Sequence, residues 1–136
     1  GDYRSARSTI NKALDLDTSQ DKFWIEYFNV GIDYHRGGAY ADAFAIYRAV
    51  VAAKPAYGMV HHNLGVLHYG RKHFEEAVEA FKRTIELEPD NDGAHFLLAQ
   101  SYEKSGRPAE AIRAYKRTLA LNPDSLQAKD NLLALL

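Results

Sequence analysis

The chain of 136 residues contains no cysteine, one tryptophan and one methionine. Without cysteine it can form no disulfide, no thiolate zinc site and no cysteine nucleophile. The absence of cysteine leaves the redox compartment open, and of the soluble compartments we favour the cytoplasm as the expectation. No cofactor is implied by any residue cluster in the sequence.

Long apolar runs and an excess of one charge are also missing. No uninterrupted apolar stretch approaches the roughly 18–20 residues that a membrane helix needs, so we expect no membrane insertion. The formal net charge is −1 and the basic residues do not gather in one run, which argues against a nucleic-acid partner. Hydrophobic residues make up 46% of the chain, enough to bury a core, so a single domain over 1–136 is expected.

What the sequence does contain is an internal repeat. Three of its four prolines, Pro55, Pro89 and Pro123, stand 34 residues apart. The same step aligns small residues with small residues and rings with rings, as expected where two helices cross closely and a ring fills the gap between them. The aligned sets are Gly31, Gly65 and Ala99; Tyr34, His68 and Tyr102; Ala43, Ala77 and Ala111; and Tyr47, Phe81 and Tyr115.

Apolar residues recur at helical spacing in two segments of each repeat. The pattern predicts helices over 23–36 and 40–53, over 58–70 and 74–87, and over 92–104 and 108–121. Gly37-Gly38 and Ser105-Gly106 are typical helix ends, whereas Gly70-Arg71-Lys72 is the least typical turn. Caps are expected from the segments Asp90-Asn91-Asp92 and Asn122-Pro123-Asp124-Ser125.

Period and pattern together resemble the tetratricopeptide repeat (TPR) family, and "NLGVLHYGRKHFEEAVEAFKRTIELEPDN" is a close match. The resemblance implies an all-α solenoid of antiparallel helix pairs, wound into a right-handed superhelix with a concave groove. Residues 1–20 look like the second-helix half of an incomplete repeat, with Ala6, Ile10 and Ala13 in register. The predicted repeats are 24–57, 58–91 and 92–125, followed by a capping helix over 126–136.

In this family the first helix of each pair lines the concave surface. The resemblance implies that residues at fixed distances from the Gly or Ala of this helix contact a partner. We expect Phe28 to be exposed on this surface. The predicted groove residues are Phe28, Asn29, Ile32, His35, Met59, His62, Asn63, Val66, Tyr69, Phe96, Leu97 and Gln100.

Some members of the family hold an acidic C-terminus with a clamp of lysines, arginine and asparagines. The matching places here carry Phe28 and Ile32, then Asn63, then Gly93 and Leu97, so only one clamp residue is present. The resemblance therefore favours an apolar or aromatic partner segment over an acidic C-terminus.

Asn29, Asn63 and Asn131 recur at steps of the same period. An asparagine side chain can donate to and accept from one peptide unit, so the series could hold an extended partner backbone. Asparagine retained for local hydrogen bonds explains the series equally well, and Leu97 interrupts it.

The histidines of "HHNLGVLHY" do not have metal-ligand spacing. His61 and His68 are seven residues apart, about 10.5 Å along a helix, which is too far to share one ion. His61, His68 and His95 are expected to pack where the family usually has aromatic rings. His35 and His62 are expected in the groove, where they could make binding pH-dependent.

No nucleophile, acid and base converge in the sequence, so we predict that the chain is not an enzyme. The leading hypothesis is a protein-interaction scaffold that binds a peptide or helix of a partner protein in its concave groove. The alternative is a self-assembling or spacer segment of a larger protein, because Ile10, Leu14, Leu132, Leu133, Leu135 and Leu136 at the two ends lack predicted partners, which allows a homo-oligomer.

Overall fold

The computed structural model describes residue 17 and residues 19–136. This part of the chain contains seven α-helices and no strand. The all-α prediction is confirmed, and the six predicted helices of the repeats are found at the predicted places, the first beginning at Asp21. The helices are α1 (Asp21–Arg36), α2 (Tyr40–Ala53), α3 (Gly58–Gly70), α4 (Phe74–Leu87), α5 (Asp92–Lys104), α6 (Pro108–Leu121) and α7 (Leu126–Leu135).

The chain forms two compact units, an N-terminal unit that ends at Val60 and a C-terminal unit that begins at His61. The second-helix half predicted within residues 1–20, with Ala6, Ile10, Ala13 and Leu14, falls largely outside the described residues. The repeat boundaries at 24–57, 58–91 and 92–125 stay predictions.

Each unit has its own core of small residues and rings. In the N-terminal unit, α1 packs against α2 through the buried side chains of Phe28 and Tyr47. In the C-terminal unit, helices α4 to α7 bury a cluster around Phe81 and Tyr115, both fully buried. Burial of apolar side chains, these rings among them, is the main favourable contribution to the stability of both units.

The close helix crossings predicted from the small residues are present. A Cβ atom built on Gly31 would lie 2.6 Å from Cε1 of Tyr47, and one on Gly65 would lie 2.6 Å from Cε1 of Phe81. Real Cβ atoms do not approach other carbon atoms so closely. The glycines of α1 and α3 therefore make room for the ring of the next helix.

Polar side chains cap the later helices where the sequence predicts them. The Asn91 side-chain oxygen accepts from Ala94 N at 2.9 Å at the start of α5. The Ser125 hydroxyl accepts from Ala128 N at 3.3 Å at the start of α7. Each cap satisfies one of the backbone N–H groups that a helix leaves without an internal partner.

The turn between α3 and α4 has the same backbone path as the other two turns within the repeats, but a different residue. Gly38 and Gly106 have φ of +80° and +74°, and Lys72, one repeat away from each, has φ of +63°. Left-handed backbone costs an ordinary residue about 1–2 kcal/mol. Lys72 is thus strained at a place where the repeat has glycine.

Lys72→Gly is expected to raise the free energy of unfolding by about 0.5–1 kcal/mol, since relief of this strain exceeds the entropy that glycine adds to the unfolded chain. Urea denaturation measures the change. Arg71→Gly is the matched control: Lys72 is the only non-glycine residue with positive φ in the described part of the chain, so glycine at Arg71 should only destabilise. A Lys72→Gly variant less stable than the parent would contradict the strain.

Candidate partner-binding surface

Three side chains on each first helix share one face because they are spaced by four and then three residues. We call this set the stripe of the helix. The three stripes are related by steps of one repeat: Phe28, Ile32 and His35 on α1; His62, Val66 and Tyr69 on α3; and Phe96, Gln100 and Glu103 on α5.

The predicted surface in the C-terminal unit is apolar and half-buried. Val66 and Tyr69 on α3, and Phe96 and Leu97 on α5, pack against the core cluster of this unit. Each keeps part of its side chain accessible, as do Asn63 and Gln100 beside them. The core therefore holds these side chains in place while part of their apolar surface stays accessible.

The hydroxyl of a buried tyrosine forms a hydrogen bond with the last residue of the α5 stripe. Tyr115 is fully buried, and its hydroxyl donates to Glu103 Oε2 at 2.7 Å. Asn131 Nδ2 on α7 donates to the same hydroxyl oxygen at 3.1 Å. Burial, followed by the bond to the Glu103 carboxylate, raises the pKa of Tyr115 well above its usual range, so the phenol stays protonated as donor.

The other two stripes differ from this one in whether a tyrosine hydroxyl is available to their last residue. In the N-terminal unit the Tyr47 hydroxyl lies 3.4 Å from His35 Nδ1, the last residue of the α1 stripe. In α4 the ring at the corresponding place is Phe81, which has no hydroxyl for Tyr69. The asparagine series differs in a similar way: Leu97 packs against the core cluster, which includes Phe81, whereas Asn131 donates to the Tyr115 hydroxyl. At Asn131 the asparagine makes a local hydrogen bond.

Phe28 is not exposed, so the expectation for this residue is wrong. Only 1% of its surface is accessible. Its ring packs against Tyr47 with centroids 5.6 Å apart and against Tyr57 with centroids 5.2 Å apart. One and two repeats later the place of Tyr57 is taken by the capping residues Asn91 and Ser125, which have no ring.

The remaining predicted residues of the N-terminal unit are accessible to different degrees. Asn29 is exposed, and Met59 is 52% exposed with its sulfur 3.8 Å from the Tyr57 hydroxyl. Ile32 and His35 are half-buried. Of this unit's five predicted groove residues, only Phe28 lacks accessible surface.

The packing predicted for His61 and His95 is confirmed, since they are 9% and 8% exposed. His95 Nε2 lies 2.9 Å from the carbonyl oxygen of Pro89. His62 is half-buried with its ring 5.7 Å from that of Phe81. Among the described residues, its Nδ1 is buried without a hydrogen-bond partner.

Burial lowers the pKa of three histidines. It is the largest cause for His35, His62 and His68; at His62 the charge of Glu88 works in the opposite direction. A histidine whose pKa is lower in the folded than in the unfolded state contributes stability above its unfolded value, and this stability is lost as pH falls. The relevant window lies below the ordinary histidine value of 6.5.

The melting temperature is therefore expected to decrease as the pH is lowered from about 7.5 to about 5. His62→Phe, which introduces the residue found at the equivalent places 28 and 96, should reduce this dependence. Differential scanning fluorimetry across the pH range measures both proteins. An unchanged melting temperature down to about pH 5 would show that protonation of these histidines carries no folding penalty.

The described residues contain no group of three or more histidine, aspartate or glutamate side chains arranged to hold a metal ion. None of the helices in this part of the chain has the length and apolar character that crossing a membrane requires.

Glu103 is the surface residue that sequence reasoning missed. It stands one repeat after Tyr69 and two repeats after His35, both of which were predicted. Its carboxylate differs in chemistry from the ring at the first two places, so a search for similar residues passes over it. A step of one repeat from Tyr69 identifies it.

The chain belongs to the tetratricopeptide repeat family: the family model described as "Tetratricopeptide repeat" matches residues 1–57 and 62–125. This confirms the resemblance in the sequence and, with the seven described helices, the helical-repeat fold. No curated protein matches the chain significantly.

Solved structures of TPR proteins share this fold at low sequence identity. The first TPR domain of Spaghetti (RPAP3), bound to the HSP90 peptide SRMEEVD, is 20% identical, with a TM-score of 0.80 over 85% of this chain and 92% of that one. The Yersinia enterocolitica type III secretion chaperone SycD, in complex with a peptide of the translocator YopD, is 13% identical, with a TM-score of 0.81 over 88% and 96%. MamA is 22% identical, with a TM-score of 0.85 over 96% and 74%.

Proposed function

We propose that the chain is a non-enzymatic protein-interaction scaffold whose first helices bind a peptide or helix of a partner protein. The observation that carries the proposal is the half-buried apolar surface of Val66, Tyr69, Phe96 and Leu97. Covering such side chains removes apolar area from water, which is the main driving force for association. Asn63 and Gln100 supply amides that can orient a partner backbone.

The comparisons support a role of this kind. SycD and the first domain of Spaghetti (RPAP3) each hold a peptide of another protein. The second TPR domain of human RPAP3 holds the HSP70 peptide SGPTIEEVD. Both of these peptides, SGPTIEEVD and SRMEEVD, end in a mostly acidic segment, whereas the surface proposed here is apolar. We therefore propose an apolar or aromatic partner segment.

Leu97→Ser tests the surface, with Leu119→Ser as the matched control. Both leucines are half-buried and pack against the same core cluster, but Leu97 lies on the first helix α5 and Leu119 on the second helix α6. Peptides selected from a random library on the parent protein should bind Leu97→Ser about five- to tenfold more weakly, since about 1 kcal/mol of apolar contact is lost. Leu119→Ser should lose comparable stability and no affinity.

Isothermal titration calorimetry on both variants, after their folding is checked by circular dichroism, gives the comparison. Equal losses of affinity in the two variants would mean that the effect follows stability. A loss confined to Leu119→Ser would assign the partner to the second helices and remove the proposed surface.

Self-assembly is a second candidate, favoured by the terminal helix α7. Leu126 and Leu133 of this helix and Leu136, which follows it, are 71%, 68% and 74% exposed, whereas Leu132 and Leu135 pack against the core. Leu133 and Leu136 occupy the places at which α5 buries Ala99 and Tyr102. Light scattering over a wide concentration range distinguishes a monomer from a chain that associates through this face.

A further inference from the structure

Glu103 is the last residue of the α5 stripe and places a carboxylate at its end. It lies on the face of α5 that carries Phe96 and Gln100, and its charge raises the pKa of Tyr69 on α3, after burial of that phenol. Glu103 is therefore near the apolar surface of the C-terminal unit. His35 and Tyr69, at the same place in the other repeats, carry no comparable negative charge.

The carboxylate is held in one orientation. One of its oxygens accepts from the buried Tyr115 hydroxyl, which in turn accepts from Asn131. A recognition group whose position is fixed by a buried neighbour loses little freedom when it meets a partner. Glu103 is exposed despite this anchor, so a partner side chain can approach it from solvent.

Among the described residues, Glu103 has no cationic partner. Four other glutamates of the C-terminal unit are paired with an arginine or lysine, while none of the ion pairs in the described part of the chain includes Glu103. Lys104 follows it in sequence but points about 100° away around the helix. The paired glutamates are Glu75, Glu79, Glu86 and Glu110.

We propose that Glu103 makes the surface select a partner segment that carries a lysine or arginine beside its apolar residues. The inference rests on the proposed function, since it concerns the same surface. A partner that covers Phe96 and Tyr69 also removes water from the adjacent carboxylate, and a lysine or arginine, which brings both N–H donors and the opposite charge, compensates best for that loss. A neutral or acidic side chain at this point leaves the carboxylate unpaired, so the surface discriminates against it.

The experiment uses the full chain and a random peptide library as the probe. Peptides selected on the parent protein should combine apolar residues with an arginine or lysine. A synthetic peptide of this kind should bind the parent about fivefold to tenfold more tightly than its glutamine analogue, and the preference should shrink as salt is raised. Glu103→Gln should abolish the preference, because glutamine can still accept from Tyr115 but has no charge.

Glu79→Gln is the control, since it removes the same charge from the second helix α4, where Glu79 is paired with Lys82. It should leave the preference intact. A preference that survives Glu103→Gln, or selection of apolar peptides without cations, would overturn the inference and leave the proposed function standing. Failure to select any peptide that requires Leu97 would refute the proposed function, and this inference with it.

Discussion

Phe28→Ala is expected to lower the free energy of unfolding by about 3–5 kcal/mol, the largest effect of any substitution considered. The ring is 1% exposed and packs against the rings of Tyr47 and Tyr57. Removing it leaves a cavity between α1, α2 and the turn that follows α2. Urea denaturation followed by circular dichroism measures the loss.

Asn29→Ala is the matched control, because the neighbouring side chain is exposed and its removal should change stability by about 0.5 kcal/mol or less. A Phe28→Ala protein with unchanged stability would show that the ring is accessible after all. It would then return Phe28 to the partner-binding surface predicted from the family.

Gly65→Ala is expected to destabilise the chain by about 1–3 kcal/mol through overpacking. The added methyl carbon would lie within 3.0 Å of three carbon atoms of the Phe81 ring. That ring is fully buried, so it cannot move aside without displacing its neighbours. The third helix pair carries Ala99 at the same place, which means that α5 and α6 accommodate a methyl group where α3 and α4 do not.

Gly70→Ala provides the comparison within the same helix, since a Cβ atom at Gly70 meets nothing within 4 Å. Helix propensity alone favours alanine over glycine by about 1 kcal/mol in a helix interior. If propensity dominated, both variants would be more stable than the parent. Destabilisation at Gly65, together with a neutral or stabilising change at Gly70, would show that the close crossing decides the outcome.

The helices could be predicted from the sequence because the repeat constrains them several times over. Apolar spacing, small residues and capping residues recur at one period, and every copy gives the same answer. The close crossings at Gly31 and Gly65 followed from the same alignment, because a position that is small in each copy must face a neighbouring helix.

The surface was harder to predict because it depends on residues that differ between repeats. Tyr57 covers Phe28, and no ring stands at the equivalent places 91 and 125. The family pattern describes an average repeat and does not include this ring. Glu103 escaped prediction for a related reason: its anchor, Tyr115, is on the second helix, and only the structure shows that its hydroxyl reaches Glu103 and Asn131.

We propose that a partner segment covers the stripes of the first helices in the C-terminal unit. Chemical-shift mapping on the isotope-labelled chain, titrated with a peptide selected from the random library, tests it most directly. We predict that the largest shifts fall on α3 and α5, around Asn63, Val66, Leu97 and Gln100. Shifts confined to the second helices α4 and α6, or to the exposed leucines of α7, would contradict this account.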